Sequence, residues 1–278
     1  MSSILTNHSA MTALSTLRQI NNNLTETQGR ISTGLKIASG KDNAAYFSIS
    51  KTMSGDSGMF KAIDETLTLQ KNAVSTARLG AETLVELAND FAERVAFAQG
   101  GTSEVRADVQ AELDELVARM STTISQATFN GTDYVNSGAT VTLVTGISRA
   151  AGGSINTTTM TFLQQDLGAI QSVLAAIDLT AATSAGSQVA ALQAAEAQLS
   201  AAVAAATALG IAEKSIETQK EFLGELTDRL DSGIGSMIDA DMEEEAAKLQ
   251  AQQVQQQLAT QSLSIANSSP QNILSLFQ

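Results

Sequence analysis

Residues 61–99 read KAIDETLTLQKNAVSTARLGAETLVELANDFAERVAFAQ, and one stripe runs through them at Ile63, Leu67, Gln70, Val74, Ala77, Ala81, Leu84, Ala88, Phe91, Val95 and Ala98. The spacing alternates four and three without a slip over about five heptads. It predicts ~50 Å of helix, at ~1.5 Å per residue, with one face buried against other helices. The same pattern recurs on both sides. Upstream it passes through Ala10, Leu14, Leu17, Asn21, Leu24, Gln28, Ile31, Leu35 and Ala38. Downstream it passes through Ala205, Leu209, Ala212, Ile216, Gln219, Leu223, Leu226, Leu230, Gly233 and Met237. A shorter stripe holds Val109, Leu113, Leu116 and Met120. Four polar members, Asn21, Gln28, Gln70 and Gln219, interrupt these seams; such residues cost stability and fix register. The stripes alone leave open whether the partner helices lie in the same chain.

The breaks between stripes set the element order. Gly55 and Gly58 are expected to interrupt the pattern before the helix at 61–99. Gly100-Gly101-Thr102-Ser103 reads as a C-terminal cap followed by an N-cap at Ser103, giving a helical hairpin of 61–99 and 104–128. Asn130-Gly131 marks a turn. Val141–Thr145 and Ile155–Phe162 are rich in β-branched residues and flank Gly152-Gly153, so a β-hairpin is expected near 139–162. Helical patterning returns at 164–178, a loop at 180–187, and a long helix at 188–232. The glutamine-rich tail 246–267 carries Leu249, Val254, Leu258, Leu263 and Ile265 among its polar residues, which suits a helix that orders on binding; Pro270 is expected to end it. The fold class is therefore mostly α: an elongated antiparallel helical bundle or coiled coil with one β-hairpin and with the N- and C-terminal helices paired.

Composition excludes most chemistry. With no cysteine there is no disulfide framework, thiolate nucleophile or Cys-ligated metal site, and His8 is the only histidine. No catalytic, cofactor-binding or metal-ligating residues are therefore assigned. The net charge of −13 leaves no basic footprint for nucleic acid. The start lacks a cationic segment and an apolar run, and no stretch approaches the ~18 consecutive apolar residues of a bilayer span, so neither a cleaved signal nor membrane insertion is expected. Gly34–Asp42 faintly echoes a phosphate loop but carries one residue too many, with Asp42 where Ser or Thr must meet magnesium. Asp239, Asp241 and Glu243 imitate the start of a calcium loop, but Glu244 replaces its glycine and Gln250 its bidentate glutamate.

Charge distribution is more telling than net charge. Residues 1–17 and 249–278 carry no acidic or basic (Lys/Arg) side chain, whereas 211–245 hold eleven acidic and three basic ones. In a homopolymer every charge recurs at each lattice step, and burying one without a partner costs several kcal/mol. Ends that are neutral, striped and hydrogen-bonding suit the interior of an assembly.

Five motifs, in order, resemble those of the bacterial flagellins. Ser32-Thr33-Gly34-Leu35-Lys36-Ile37-Ala38-Ser39-Gly40-Lys41-Asp42-Asn43-Ala44-Ala45 is similar to the family signature SSGLRINSAKDDAAG. Leu5-Thr6-Asn7-His8-Ser9-Ala10 resembles its TN-x-x-S opening, and Phe129-Asn130-Gly131 its FNG motif. Ile238-Asp239-Ala240-Asp241-Met242 resembles R-I-x-D-A-D-F, and Ile265–Leu276 resembles A-N-x-x-P-Q-x-x-L-x-L-L. The similar regions cover roughly residues 1–135 and 205–278.

The resemblance implies a non-enzymatic structural subunit of the flagellar filament, a helical homopolymer that could include other flagellins. It implies an inner, channel-lining coiled coil of 1–40 plus 238–278, with Leu14, Leu17, Asn21, Leu24, Gln28, Ile31, Leu35, Leu249, Val254, Leu258, Leu263 and Ile265 on its assembly helices. It implies an outer helical bundle of 41–237, with Ile63, Leu67, Val74, Leu84, Phe91, Val95, Leu209, Ile216, Leu223 and Leu230 in its seam. The family's variable outer domains are missing. Export without a cleaved signal, through the flagellar type III apparatus, is implied, with an export chaperone, the filament cap and the hook-filament junction proteins as partners. A junction protein, which shares parts of these termini, is the alternative. Glu93 stands where flagellins recognised by the animal innate-immune receptor carry arginine, so weak recognition is expected.

Overall fold

A computed structural model describes residues 7–150 and 154–274, with side chains described to residue 268. Leu5 and Thr6 of the opening motif, residues 151–153 at the hairpin tip and residues 275–278 fall outside the described residues. Among the described residues six helices and four strands follow one another: α1 His8–Thr33, α2 Ala44–Phe97, α3 Ser103–Gln126, β1 Thr128–Phe129, β2 Thr132–Asp133, β3 Thr140–Arg149, β4 Ile155–Leu163, α4 Leu167–Ala175, α5 Ala185–Ile238 and α6 Met242–Leu274. They divide into two compact units: Met1–Ser57 with Asp228–Gln278, and Gly58–Thr227.

In the second unit the stripe on α2 is buried along its length. Leu67, Val74, Leu84, Phe91 and Val95 are fully enclosed, as are Leu209, Ile216 and Leu223 of α5, while Ile63 is half-buried. Polar pairs beside this seam fix α2 and α5 antiparallel: Lys71 to Glu217 at 3.0 Å, Arg78 Nε to Glu213 at 2.7 Å, and Lys220 Nζ to Thr68 Oγ1 at 2.5 Å. α3 contributes Val109, Leu113, Met120 and Ile124 to the core and packs against α4. At Gly80 the chain comes so close to Ala127 that an added Cβ would overlap the alanine Cβ.

The Asn130-Gly131 turn has positive φ at both central residues, 49° and 77°, as a tight hairpin turn between β1 and β2 needs. β3 pairs antiparallel with β4, and Thr145 is the extra residue of a bulge between Val144 and Gly146. The bulge aims the Thr145 carbonyl at α5, where Gln219 Nε2 donates to it at 2.8 Å. Gln70 of α2 accepts from the Tyr134 hydroxyl. These two polar seam residues tie the β region to the helices.

Several sequence expectations need correcting. Gly55 and Gly58 do not break the helix: α2 begins at Ala44 and runs through both, so the helix expected at 61–99 is longer. Glycine costs a helix only ~1 kcal/mol, and the pair sits where the chain passes from one unit to the other. The N-cap of α3 is Thr102, whose hydroxyl accepts from Val105 N, and not Ser103. α5 spans Ala185–Ile238, beyond the expected 188–232. Pro270 does not end α6, which continues to Leu274. By hydropathy, α5 also contains one 18-residue window, of mean hydropathy 1.3, apolar enough to cross a bilayer. Alanines together with Leu199, Val203, Leu209 and Ile211 give that value, and 22% of the window is buried within the protein.

Candidate assembly surface

α1 and α6 form the other helical pair. Asn7 caps α1, its Oδ1 accepting from Ala10 N at 3.0 Å, and Gly34 closes it in the left-handed region at φ 70°. Asp241 caps α6, its Oδ1 accepting from Glu243 N and Glu244 N at 3.0 and 3.2 Å. That carboxylate of the calcium-loop imitation is thus engaged in capping, and no metal-binding group occurs among the described residues. Asp42 of the phosphate-loop echo is likewise engaged, within its own exposed loop: its Oδ2 accepts from Ala38 N, Ser39 N and Ser39 Oγ. Hydrogen bonds from Ser39 hold its carboxyl below the ordinary range.

The bases of the two helices are joined backbone to backbone. Lys36 N donates to Ile238 O at 2.7 Å and Ala240 N to Gly34 O at 2.9 Å, with an antiparallel bridge between Leu35 and Asp239. Three side-chain contacts then set α1 and α6 antiparallel: Arg30 Nη1 to Glu245 Oε1 at 3.4 Å, Gln256 Nε2 to Asn21 Oδ1 at 2.7 Å, and Asn7 Nδ2 to Ala266 O at 2.8 Å. Glu245 is buried, which works to raise its pKa. Its hydrogen bond and charge pairing with Lys248, then those with Arg30, outweigh burial and hold it below its ordinary value.

The seam between these helices is thin. On α1 the sheltered side runs through Ala10, Ala13, Leu17, Ile20, Leu24, Thr27 and Ile31, of which only Thr27 is fully buried. Of the stripe expected to pack in the assembly, Leu17, Leu24 and Ile31 are half-buried within the single chain, while Leu14, Asn21 and Gln28 are exposed, Asn21 nonetheless meeting Gln256 of α6, and Ala13, Ile20 and Thr27 are the more sheltered neighbours. On α6, Leu249 and Leu263 are half-buried beside Gln252, Gln256 and Ala259, whereas Val254, Leu258 and Ile265 are 55–65% exposed. Leu35 and Leu230 are half-buried. Glu245 Oε2 and Gln252 Oε1 lie buried without a donor from the described protein groups.

The outward faces mix apolar side chains and internally bonded hydroxyls with exposed amides such as Gln19, Asn22, Gln253 and Gln257. Met11 and Leu14 are exposed on α1. The hydroxyls of Thr12, Thr16, Thr25 and Thr33 donate to carbonyls one turn back, at 2.9–3.1 Å, so they could be covered with little desolvation penalty. Arg18 is the only Lys, Arg, Asp or Glu of α1 before Glu26, and α6 has none after Lys248. This geometry supports helix-on-helix association.

Comparison with known proteins agrees with that chemistry. The bacterial flagellin N-terminal helical region matches residues 4–140, and the bacterial flagellin C-terminal helical region matches residues 189–277. A flagellin of Brucella melitensis is 38% identical over the whole of both chains. Flagellin C of Rhizobium meliloti is 32% identical, again over the whole of both, and flagellin FljM of Caulobacter vibrioides is 34% identical over 100% of this chain and 99% of its own.

Proposed function

The chain belongs to the bacterial flagellin family, and on that premise we propose that α1 and α6 complete their folding only when the subunit enters the filament. The protein is a structural subunit of the extracellular flagellar filament and polymerises with itself. The observation that supports the finer reading is an uncharged helical pair with a half-buried seam and an apolar outer face at Met11, Leu14, Val254, Leu258 and Ile265. Ordering a residue costs ~1–2 kcal/mol, and most helical stability in proteins comes from tertiary packing of an apolar face. Burying each of those outward leucines, isoleucines or valines against neighbouring subunits contributes ~1.5–3 kcal/mol.

In this proposal residues 1–40 and 238–278 line the channel and residues 41–237 form the outer bundle contacting neighbours, alone or mixed with other flagellins. A subunit whose ends are unstructured suits unfolded passage through a type III export apparatus, held by a chaperone on its carboxyl end. At the growing tip it would meet the filament cap, with the junction proteins at the other end of the tube. The test is growth of purified full-length chain on filament seeds, followed by electron microscopy. Long filaments are expected, with Leu24→Asp or removal of 249–278 leaving a soluble bundle that does not elongate. Normal filaments from either variant would overturn the proposal.

A further inference from the structure

α6 runs through a proline, and the structure contains a compensation for it in the opposite terminus. An α-helix closes each turn by a hydrogen bond from residue N–H to the carbonyl four residues earlier. Pro270 has no N–H to give, so the carbonyl of Ala266 lacks its i+4 helical donor. That carbonyl is where Asn7 Nδ2 donates, at 2.8 Å, across 259 residues of sequence. The other end of the same amide, Oδ1, accepts from Ala10 N at 3.0 Å and caps α1.

We propose that Asn7 is the positioning residue for pairing the chain ends, its one carboxamide capping α1 and replacing the donor that Pro270 removes from α6. The amide fits both tasks because it carries an acceptor and a donor on the same carbon. Aspartate and serine cap a helix as well as asparagine does, yet aspartate lacks the donor and serine is too short to hold both partners. The proline thereby works as a register mark. A helix without the proline would satisfy Ala266 wherever α1 lay along it, whereas this one opens one carbonyl ahead of those that every helix leaves free at its C-terminal end, and the start of α1 fills it. A one-turn slip of α6 along α1 would present Asn7 with a carbonyl already engaged.

This inference rests on the filament reading, because the pair is stable only there. The test is a double-mutant cycle on seeded elongation of the full chain, read as critical concentration. Asn7→Ser keeps a neutral cap and loses the donor, and is expected to raise the critical concentration about fivefold to tenfold. Pro270→Ala restores the N–H to Ala266 and is expected to shift it less than twofold. In the Pro270→Ala background the Asn7→Ser penalty is expected to shrink below twofold. A merely structural capping role would leave that penalty equal in both backgrounds, and this result, or wild-type growth by Asn7→Ser alone, would overturn the inference. Failure of the wild-type chain itself to elongate would instead defeat the filament reading, and the inference with it.

Discussion

The pairs α2–α5 and α1–α6 are both built on apolar stripes, yet only one of them is finished within the chain. Along α2 and α5, Leu67, Val74, Leu84, Phe91, Val95, Leu209 and Ile216 are sealed from solvent. Along α1 and α6, Leu17, Leu24, Ile31, Leu249 and Leu263 are only half covered, and a second set of apolar residues faces outward. Surrounding charge differs as well. Ion pairs such as Arg78–Glu213 and Lys71–Glu217 flank the closed seam, whereas the open pair is charged only near its base, apart from Arg18. Periodicity marks a helix as a packing element; the completeness of its burial tells whether the partner is already present.

The largest effect that separates the two pairs is expected at Phe91. Phe91→Ala empties a sealed site and should destabilise the isolated subunit by about 3–5 kcal/mol in denaturant unfolding. A loss under ~1 kcal/mol would mean that the seam is not closed. Leu258→Asp should do the opposite: unfolding of the free subunit stays within ~0.5 kcal/mol of wild type, while seeded growth is lost, since an unpaired charge inside the lattice costs several kcal/mol per subunit. Unimpaired growth would place Leu258 outside any subunit contact. Gly80→Ala forces a methyl onto Ala127 and is expected to cost about 1–3 kcal/mol, again in the free subunit.

The smallest effect concerns pH. Glu217 is held at about 2, against an ordinary 4.5, by hydrogen bonds first from Lys214 and then from Lys71, together with their charges. A carboxyl depressed on folding contributes stability above its unfolded pKa and loses it as pH falls through the folded one. The midpoint of unfolding should therefore drop between pH 4.5 and about 2, less in Glu217→Gln and less in high salt, because the pair is exposed. An identical pH profile in Glu217→Gln would remove this pair from the account.

The closed pair was legible in the sequence almost residue by residue. Its 4-3 stripe has one dominant apolar face, and Gln70 and Gln219, the exceptions, are spent on Tyr134 and the Thr145 carbonyl. The open pair was legible only in part. On α1 both Leu14/Asn21/Gln28 and Ala13/Ile20/Thr27 complete a stripe with Leu17, Leu24 and Ile31, so periodicity could not choose the frame. On α6, Val254, Leu258 and Ile265 fill one face and Leu249 and Leu263 another, as a helix with partners on two sides requires. Local rules also misjudged Gly55, Gly58 and Pro270, because long helices absorb a glycine at small cost and a donor from a distant residue can stand in for a proline's missing N–H.

The most direct measurement is amide hydrogen exchange on dilute monomer and on assembled filament. Amides of 67–95 and 205–223 are expected to be protected in both states, while those of 10–33 and 245–266 exchange rapidly in the monomer and become protected only in the filament. Slow exchange of the terminal helices in dilute monomer, or no gain of protection on assembly, would contradict the claim that this pair is completed by its neighbours.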